Sequence, residues 1–337
     1  MKVTVKDIAN ETHFSITTVS LVLSGKPARI SEETRKTILE TASRLNYKPN
    51  YIAQSLVTNK SFTLGMIIPN FSDQIFTSFA SGLEEYAQKR KYGTFICNSN
   101  DDVERCIQQI NTLISRGVDG MVIIPPATIN RDPKLKEFCE TLEESGIPYV
   151  LVDRAVHDLY HDYVASDNIF GGMLAGEHLR ELGHNKIAVI AGPEEEYGTI
   201  KRIKGFRDSF GDKSNVSIKV QYSDYTVDGG YIATKEVLNS GITALFALND
   251  MMAIGAYKAI GEKGLRIPDD ISVIGFDNNP VSALVAPPLT TISQPFNIIG
   301  SRACELLLDR ISNPDKKNCD YFFSPSIVIR NSTKSII

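Results

Sequence analysis

Apolar residues near the start of the chain recur at helical spacing. Val5, Ile8 and Ala9 form one set, Ile16, Val19, Val22 and Leu23 a second, and Ile38, Leu39, Ala42 and Leu45 a third. Each set predicts a short amphipathic helix, and the second is read as burying Ile16, Val19 and Val22 on one face, opposite Thr17, Thr18, Ser20 and Leu21. Ser15 and Ser31 are candidate N-caps, Glu32 and Glu33 suit the first turn of the third helix, and Gly25 followed by Pro27 marks the end of the second. From residue 62 the period changes. Short apolar runs such as TLGMIIP, GTFICNS, VDGMVIIP, IPYVLVD, KIAVIAG, SIKVQYS, ALFALND, ISVIGFD and TTISQ alternate with helical stretches. That alternation predicts parallel, doubly wound sheets.

The first two helices are joined by about three residues around His13, a helix-turn-helix spacing in which the second helix enters the DNA major groove. Short hydroxyls there can reach phosphates and base edges. A small three-helix bundle with a polar face fits the same spacing. Charge tilts the choice. The chain of 337 residues has a net charge of −4, but residues 1–61 hold nine Lys/Arg against five Asp/Glu, so this segment is +4 and the remainder −8. A basic head on an acidic body suits contact of the head alone with a polyanion. Five scattered cysteines suggest reduced thiols. No apolar run approaches membrane-spanning length and the N-terminus lacks a secretory h-region, so a cytoplasmic protein without a membrane partner is expected.

These residues resemble a family. TVKDIANETHFSITTVSLVLSGKPARISEETRKTILETASRLNYKPNYIAQSL looks like the DNA-binding head of LacI/GalR-type bacterial transcription regulators, with VKDIA, SITTVS, ISEETR and LNYKPN in register. The resemblance implies contacts to double-stranded, pseudo-palindromic operator DNA from Thr4, Ser15, Thr17, Thr18, Ser20 and Leu21. It departs at His13, where the turn usually holds Gly, and at Leu21, where Arg is common. In the segment PNYIAQSLVTNK, residues 51–57 read helical, yet so short a helix is marginal alone in water. The resemblance implies that it orders on DNA with its copy from a second subunit, using Asn50, Tyr51, Ala53, Gln54 and Leu56. Leu56 matches a leucine that wedges into the minor groove, although packing on the body would also suit it.

The resemblance extends over residues 62–331, through ALNDMMAIGA, ISVIGFDN and PPLTTISQP, to an effector domain shaped like periplasmic sugar-binding proteins. It implies the division 1–48 head, 49–61 hinge and 62–337 effector and dimerisation domain. The first lobe would take 62–164 and 294–323, the second 166–292 and 325–333. Several predicted strands end in polar groups, which is routine turn chemistry singly and suggests a shared cleft together. Matched positions imply effector contacts from Phe76, Asp153, Arg154, Arg202, Tyr225, Asn249, Asp277 and Phe296. Carboxylates and an amide suit vicinal hydroxyls, Arg offers a planar fork, and aromatic faces cover the apolar side of a sugar. Read alone, Asp277 could cap the next segment and Arg202 could sit in a surface ion pair. A sugar-controlled repressor of carbohydrate-utilisation genes, with no cofactor, is the expectation. A purine, a sugar phosphate or a phosphorylated carrier protein is the alternative effector.

An enzyme fits less well, since G-x-S-x-G, P-loop, H-E-x-x-H and dinucleotide fingerprints are missing from the sequence. His157 and His161 in HDLYH read as part of a solvated loop between strand and helix rather than a metal site. A transport-type sugar-binding protein would carry a signal peptide and no DNA-binding head. The chain ends soon after SIVIRNS without a leucine-heptad tail, so a homodimer is expected over a tetramer. Replacing Leu56→Ala is expected to weaken operator binding while ligand binding is unchanged. Fluorescence anisotropy on operator DNA checks this, and equal affinity would sink the wedge.

Overall fold

A computed structural model describes residues 3–23, 29–47, 60–157, 159–211 and 215–337. The chain divides into two compact units, Met1–Ser61 and Phe62–Ile337. Asn50, Tyr51, Ala53, Gln54 and Leu56, with Gly25 and Pro27, lie outside the described residues.

In the head, α1 (Val5–Thr12), α2 (Ile16–Leu23) and α3 (Glu32–Arg44) enclose a small core of Ile8, Ala9, Val19, Val22, Ile38 and Ala42. Local chemistry sets the boundaries. Thr4 and Asp7 form a reciprocal capping box at the start of α1. His13 ends α1 in the left-handed region at φ 57°, a conformation that His tolerates. Ser31 accepts from Thr34 N at 3.2 Å to start α3. Each such cap contributes roughly 1 kcal/mol. One expectation from the periodicity fails here. Ile16 is 53% exposed, because α2 turns Val19, Val22 and the partly buried Leu23 toward the core, and Leu39 of α3 is exposed as well.

The second unit holds two six-stranded sheets. The strands are β1 (Thr63–Ile68), β2 (Gly93–Asn98), β3 (Gly120–Ile123), β4 (Tyr149–Val152), β5 (Asp162–Ser166), β6 (Lys186–Ala191), β7 (Ser217–Tyr222), β8 (Ala244–Ala247), β9 (Ser272–Asp277), β10 (Thr290–Ser293), β11 (Asp320–Phe323) and β12 (Ser326–Val328). The first sheet is parallel in the order β11-β5-β4-β3-β1-β2. The second runs β12-β10-β9-β8-β6-β7, parallel except for the antiparallel edge pair of β10 with β12. The helices are α4 (Gln74–Gln88), α5 (Val103–Ser115), α6 (Leu135–Glu144), α7 (Asn168–Glu181), α8 (Tyr197–Asp208), α9 (Val227–Val237), α10 (Asp250–Glu262) and α11 (Phe296–Ser312). Both faces of the sheets are covered. Leu64, Met66 and Ile68 of β1 pack with α4 and α11, whereas Ile67 packs with α5 on the opposite side. No helix among the described residues is long and apolar enough to cross a membrane.

The chain passes between the sheets after β5, after β10 and between β11 and β12. Strands β5 and β11 are findings that the sequence pattern did not predict. The sequence pattern reads the stretch around His161 as a polar loop leading into a helix, yet Asp162–Ser166 is a fully buried strand. The reason is tertiary. Arg310 of α11 donates from Nε to Asp162 Oδ2 at 2.9 Å and from Nη2 to Oδ1 at 3.1 Å. Asp162 therefore tolerates a side-chain exposure of only 1%. His161 packs beside Tyr149 and edge-on to Tyr163, so HDLYH is not a wholly solvated loop.

The variant Arg310→Ala leaves the Asp162 carboxylate buried without its partner. Urea denaturation is expected to show a loss of roughly 3–5 kcal/mol, the range for breaking a buried pair from one side.

Candidate ligand-binding and DNA-binding sites

The cleft is built where strands stop. Asp153 and Arg154 follow β4, Asn249 follows β8, Asp277 ends β9 and Gln294 follows β10. In parallel sheets this is where ligands bind. A cleft of about 300 Å³ is lined by all eight expected effector residues, Phe76, Asp153, Arg154, Arg202, Tyr225, Asn249, Asp277 and Phe296. Three of them hold left-handed backbone, with φ of 65° at Asp153, 66° at Tyr225 and 107° at Asp277. Such conformations persist only where the surroundings hold them, and they concentrate at binding sites. For Asp153 the support is visible: Tyr163 donates from its hydroxyl to the Asp153 carbonyl at 2.6 Å.

Arg202 is buried on α8. Its Nε donates to Asn168 Oδ1 at 2.7 Å and its Nη1 to the Leu248 carbonyl at 2.6 Å. The guanidinium lies 4.0 Å from the centre of the Phe276 ring and 4.0 Å from Asp277 Oδ1. It can sit there because α7 and α8 approach closely: a Cβ on Gly172 would lie 2.1 Å from the Arg202 carbonyl oxygen, and one on Gly205 would lie 1.9 Å from that of Ile169. Gln294 donates to Asp277 Oδ1 at 2.5 Å. Asn249 caps α10 by accepting from Met252 N at 2.8 Å, and it donates to the Tyr225 carbonyl at 3.0 Å. On the other wall, Arg154 donates to Asp101 Oδ1 at 2.5 Å and to the Pro125 carbonyl at 3.0 Å.

Burial pushes the carboxyls of Asp153 and Asp277 above their ordinary range, Asp277 strongly, with Arg202 opposing the shift in both. Asp73 is raised by burial too. The Tyr225 hydroxyl is raised well above its ordinary value by burial and then by Glu196. It donates to Glu196 Oε2 at 2.8 Å and lies 2.6 Å from the Thr199 hydroxyl, while Glu196 accepts from the amides of Gly198 and Thr199 at 2.8 and 2.6 Å. The Tyr225 ring thus reaches the cleft already oriented.

Sequence reasoning passed over Asp73, Asp101, Glu196, Asp224 and Gln294, which also line the cleft. Asp101 and Gln294 follow apolar runs, so the polar strand-end signal applies to both. Glu196 is the last of three consecutive glutamates, and nothing local distinguishes it. Asp73 accepts from Asn279 Nδ2 at 3.2 Å, a bridge between the first and second lobes. Among the described residues no group of three or more His, Cys, Asp and Glu could hold a metal ion.

In the head, Thr4 serves its capping box, and Ser15 accepts from Thr18 N at 3.0 Å with the two hydroxyls 2.8 Å apart. Thr17 and Ser20 are exposed beside Ile16, and Leu21 is partly buried.

Residues 4–50 match the bacterial regulatory proteins of the lacI family, and residues 177–333 match a periplasmic binding protein-like domain. Over 340 residues the chain is 34% identical to the HTH-type transcriptional repressor PurR of Mannheimia succiniciproducens, covering 99% of each. The chain belongs to the LacI family. Two solved structures share the LacI-family architecture. A regulator from Enterococcus faecium with bound ribose is 32% identical, with a TM-score of 0.71, and the match covers 82% of this chain and 100% of that one. The lac repressor dimer bound to operator and an anti-inducer is 27% identical, with a TM-score of 0.84, over 99% of this chain and 100% of that one.

Behind the cleft, Asp250 accepts from Thr291 Oγ1 at 2.6 Å and Asn279 N at 2.7 Å, yet burial pushes its carboxyl from 3.8 up to about 7. The native state therefore holds this proton more tightly than the unfolded chain. That contribution to stability is complete below pH 4 and is lost as pH rises through about 7. Stability from urea denaturation between pH 5 and 8 is expected to fall with pH, by roughly 2.5–3 kcal/mol from this group. In Asp250→Asn the decline is expected to be shallower, because the titrating proton is gone.

Proposed function

We propose that this protein is a dimeric transcriptional repressor of carbohydrate-utilisation genes, and that a free pentose in the cleft releases it from its operator. In this reading residues 1–48 are the DNA-binding head, 49–61 the hinge and 62–337 the effector and dimerisation domain. The observation that carries the reading is the convergence of Asp153, Arg154, Arg202, Asn249, Asp277 and Gln294 between the aromatic walls Phe76, Tyr225 and Phe296. Carboxylates and amides exchange hydrogen bonds with vicinal hydroxyls, and aromatic faces cover C–H groups.

Size and charge narrow the ligand. About 300 Å³ is at the small end for ligand pockets and suits one monosaccharide better than two. The lining holds six carboxyl groups, Asp73, Asp101, Asp153, Glu196, Asp224 and Asp277, three of them (Asp73, Asp153 and Asp277) pushed by burial toward the neutral form, against two cations, Arg154 and Arg202. Arg154 already faces Asp101, and Arg202 faces Asp277. A phosphorylated sugar would enter a site with excess negative charge, which disfavours it. The ribose held by the 32% identical Enterococcus faecium regulator supports the same choice. Similarity to a transcriptional repressor, 34% identical over 99% of both chains, supports a regulator rather than an enzyme.

The test is fluorescence anisotropy on DNA from upstream of the protein's own gene, at fixed salt. Free pentoses, hexoses, disaccharides, sugar phosphates and purines are added in turn. A free pentose is expected to release the DNA and its phosphate ester to have no effect. Asp277→Ala is expected to keep DNA binding and lose the response. Release by a sugar phosphate or a purine alone would overturn the ligand assignment.

A further inference from the structure

Helix α2 has an unusual chemistry for an element that would read bases. Its eight residues, ITTVSLVL, include no charged and no amide side chain. Val19 and Val22 are buried, and the Thr18 hydroxyl is held against Ser15. That leaves Ile16, Thr17 and Ser20 exposed, with Leu21 partly so. Ile16 presents a large aliphatic group in the first turn, 53% exposed, where it adds little to the head's core.

Major-groove chemistry converts this composition into a preference. Guanine is read by paired donors from Arg or Lys, adenine by the amide of Asn or Gln, and cytosine by Asp or Glu. None of these residue types stands on α2. Thymine alone offers an apolar group, its C5 methyl, and aliphatic side chains complement it. Segment 1–61 has an excess of four positive charges over its acids, complementary to the phosphates flanking such a groove.

We propose that α2 selects its half-site through thymine C5 methyl groups packed on Ile16 and Leu21, with the hydroxyls of Thr17 and Ser20 as adaptable partners. This rests on the DNA-binding reading above and adds the base class. Specificity then comes from shape and apolar contact at these positions.

The full-length protein is used to select duplexes from a random pool. Half-site thymines of the winning sequence are then replaced by deoxyuridine, which removes only the methyl group and keeps pairing. Affinity is expected to fall about fourfold per contacted methyl, the value of one buried methylene. Ile16→Ala is expected to bring the thymine-to-deoxyuridine ratio at its position near one. Its stability should match the parent, since Ile16 lies outside the core. Unchanged affinity after replacement of every half-site thymine would overturn the proposal, as would an undiminished ratio in Ile16→Ala. A pool that shows no enrichment would overturn the DNA-binding reading and this proposal with it. Enrichment without methyl dependence leaves DNA binding standing and removes only the base class.

Discussion

The second lobe is organised around one buried cation. The Arg202 guanidinium meets Asn168 at the start of α7, the Leu248 carbonyl past β8, the ring of Phe276 and the carboxylate of Asp277. These groups come from segments far apart in sequence. An uncompensated charge at that depth would be prohibitive, so the positions of β8, β9 and α7 are coupled through its partners. Asn168 lies two residues past the end of β5, where the chain leaves the first sheet. The cation that faces the cleft is thus also tied to one of the segments where the chain crosses between the sheets.

The same arrangement explains the acidity of the cleft. Asp153 and Asp277 approach the guanidinium from opposite lobes, and burial raises both carboxyls. A ligand rich in hydroxyls can satisfy such groups in either protonation state, because hydroxyls both donate and accept. A dianionic phosphate can only accept or repel there. Asp73 and Asn279 add a polar bridge between the lobes at the cleft.

The head works by shorter-range rules. Its helices are bounded by their own side chains at Thr4, His13, Ser15 and Ser31, and six buried apolar residues with a rim of partly buried ones form its core. With so little interior, α2 turns only one narrow stripe inward and leaves Ile16 in solvent.

Much of this was legible in the sequence by itself. The change of apolar period at residue 62 marks the change from helices to parallel sheets, because side-chain periodicity reflects which faces are buried. Caps at Ser15 and Ser31 were readable because they act within three residues. The strand-end polar groups Asp153, Asn249 and Asp277 were readable because a polar residue closing an apolar run has few places to go. What only the tertiary structure decided depends on partners distant in sequence. Strand β5 exists as a buried element because Arg310, 148 residues away, neutralises Asp162. Glu196 joins the cleft because Tyr225 reaches it from a different loop, and Ile16 lies outside the core although its spacing resembles that of Val19 and Val22. Periodicity says that a face is apolar. Whether anything covers it is settled by three-dimensional packing.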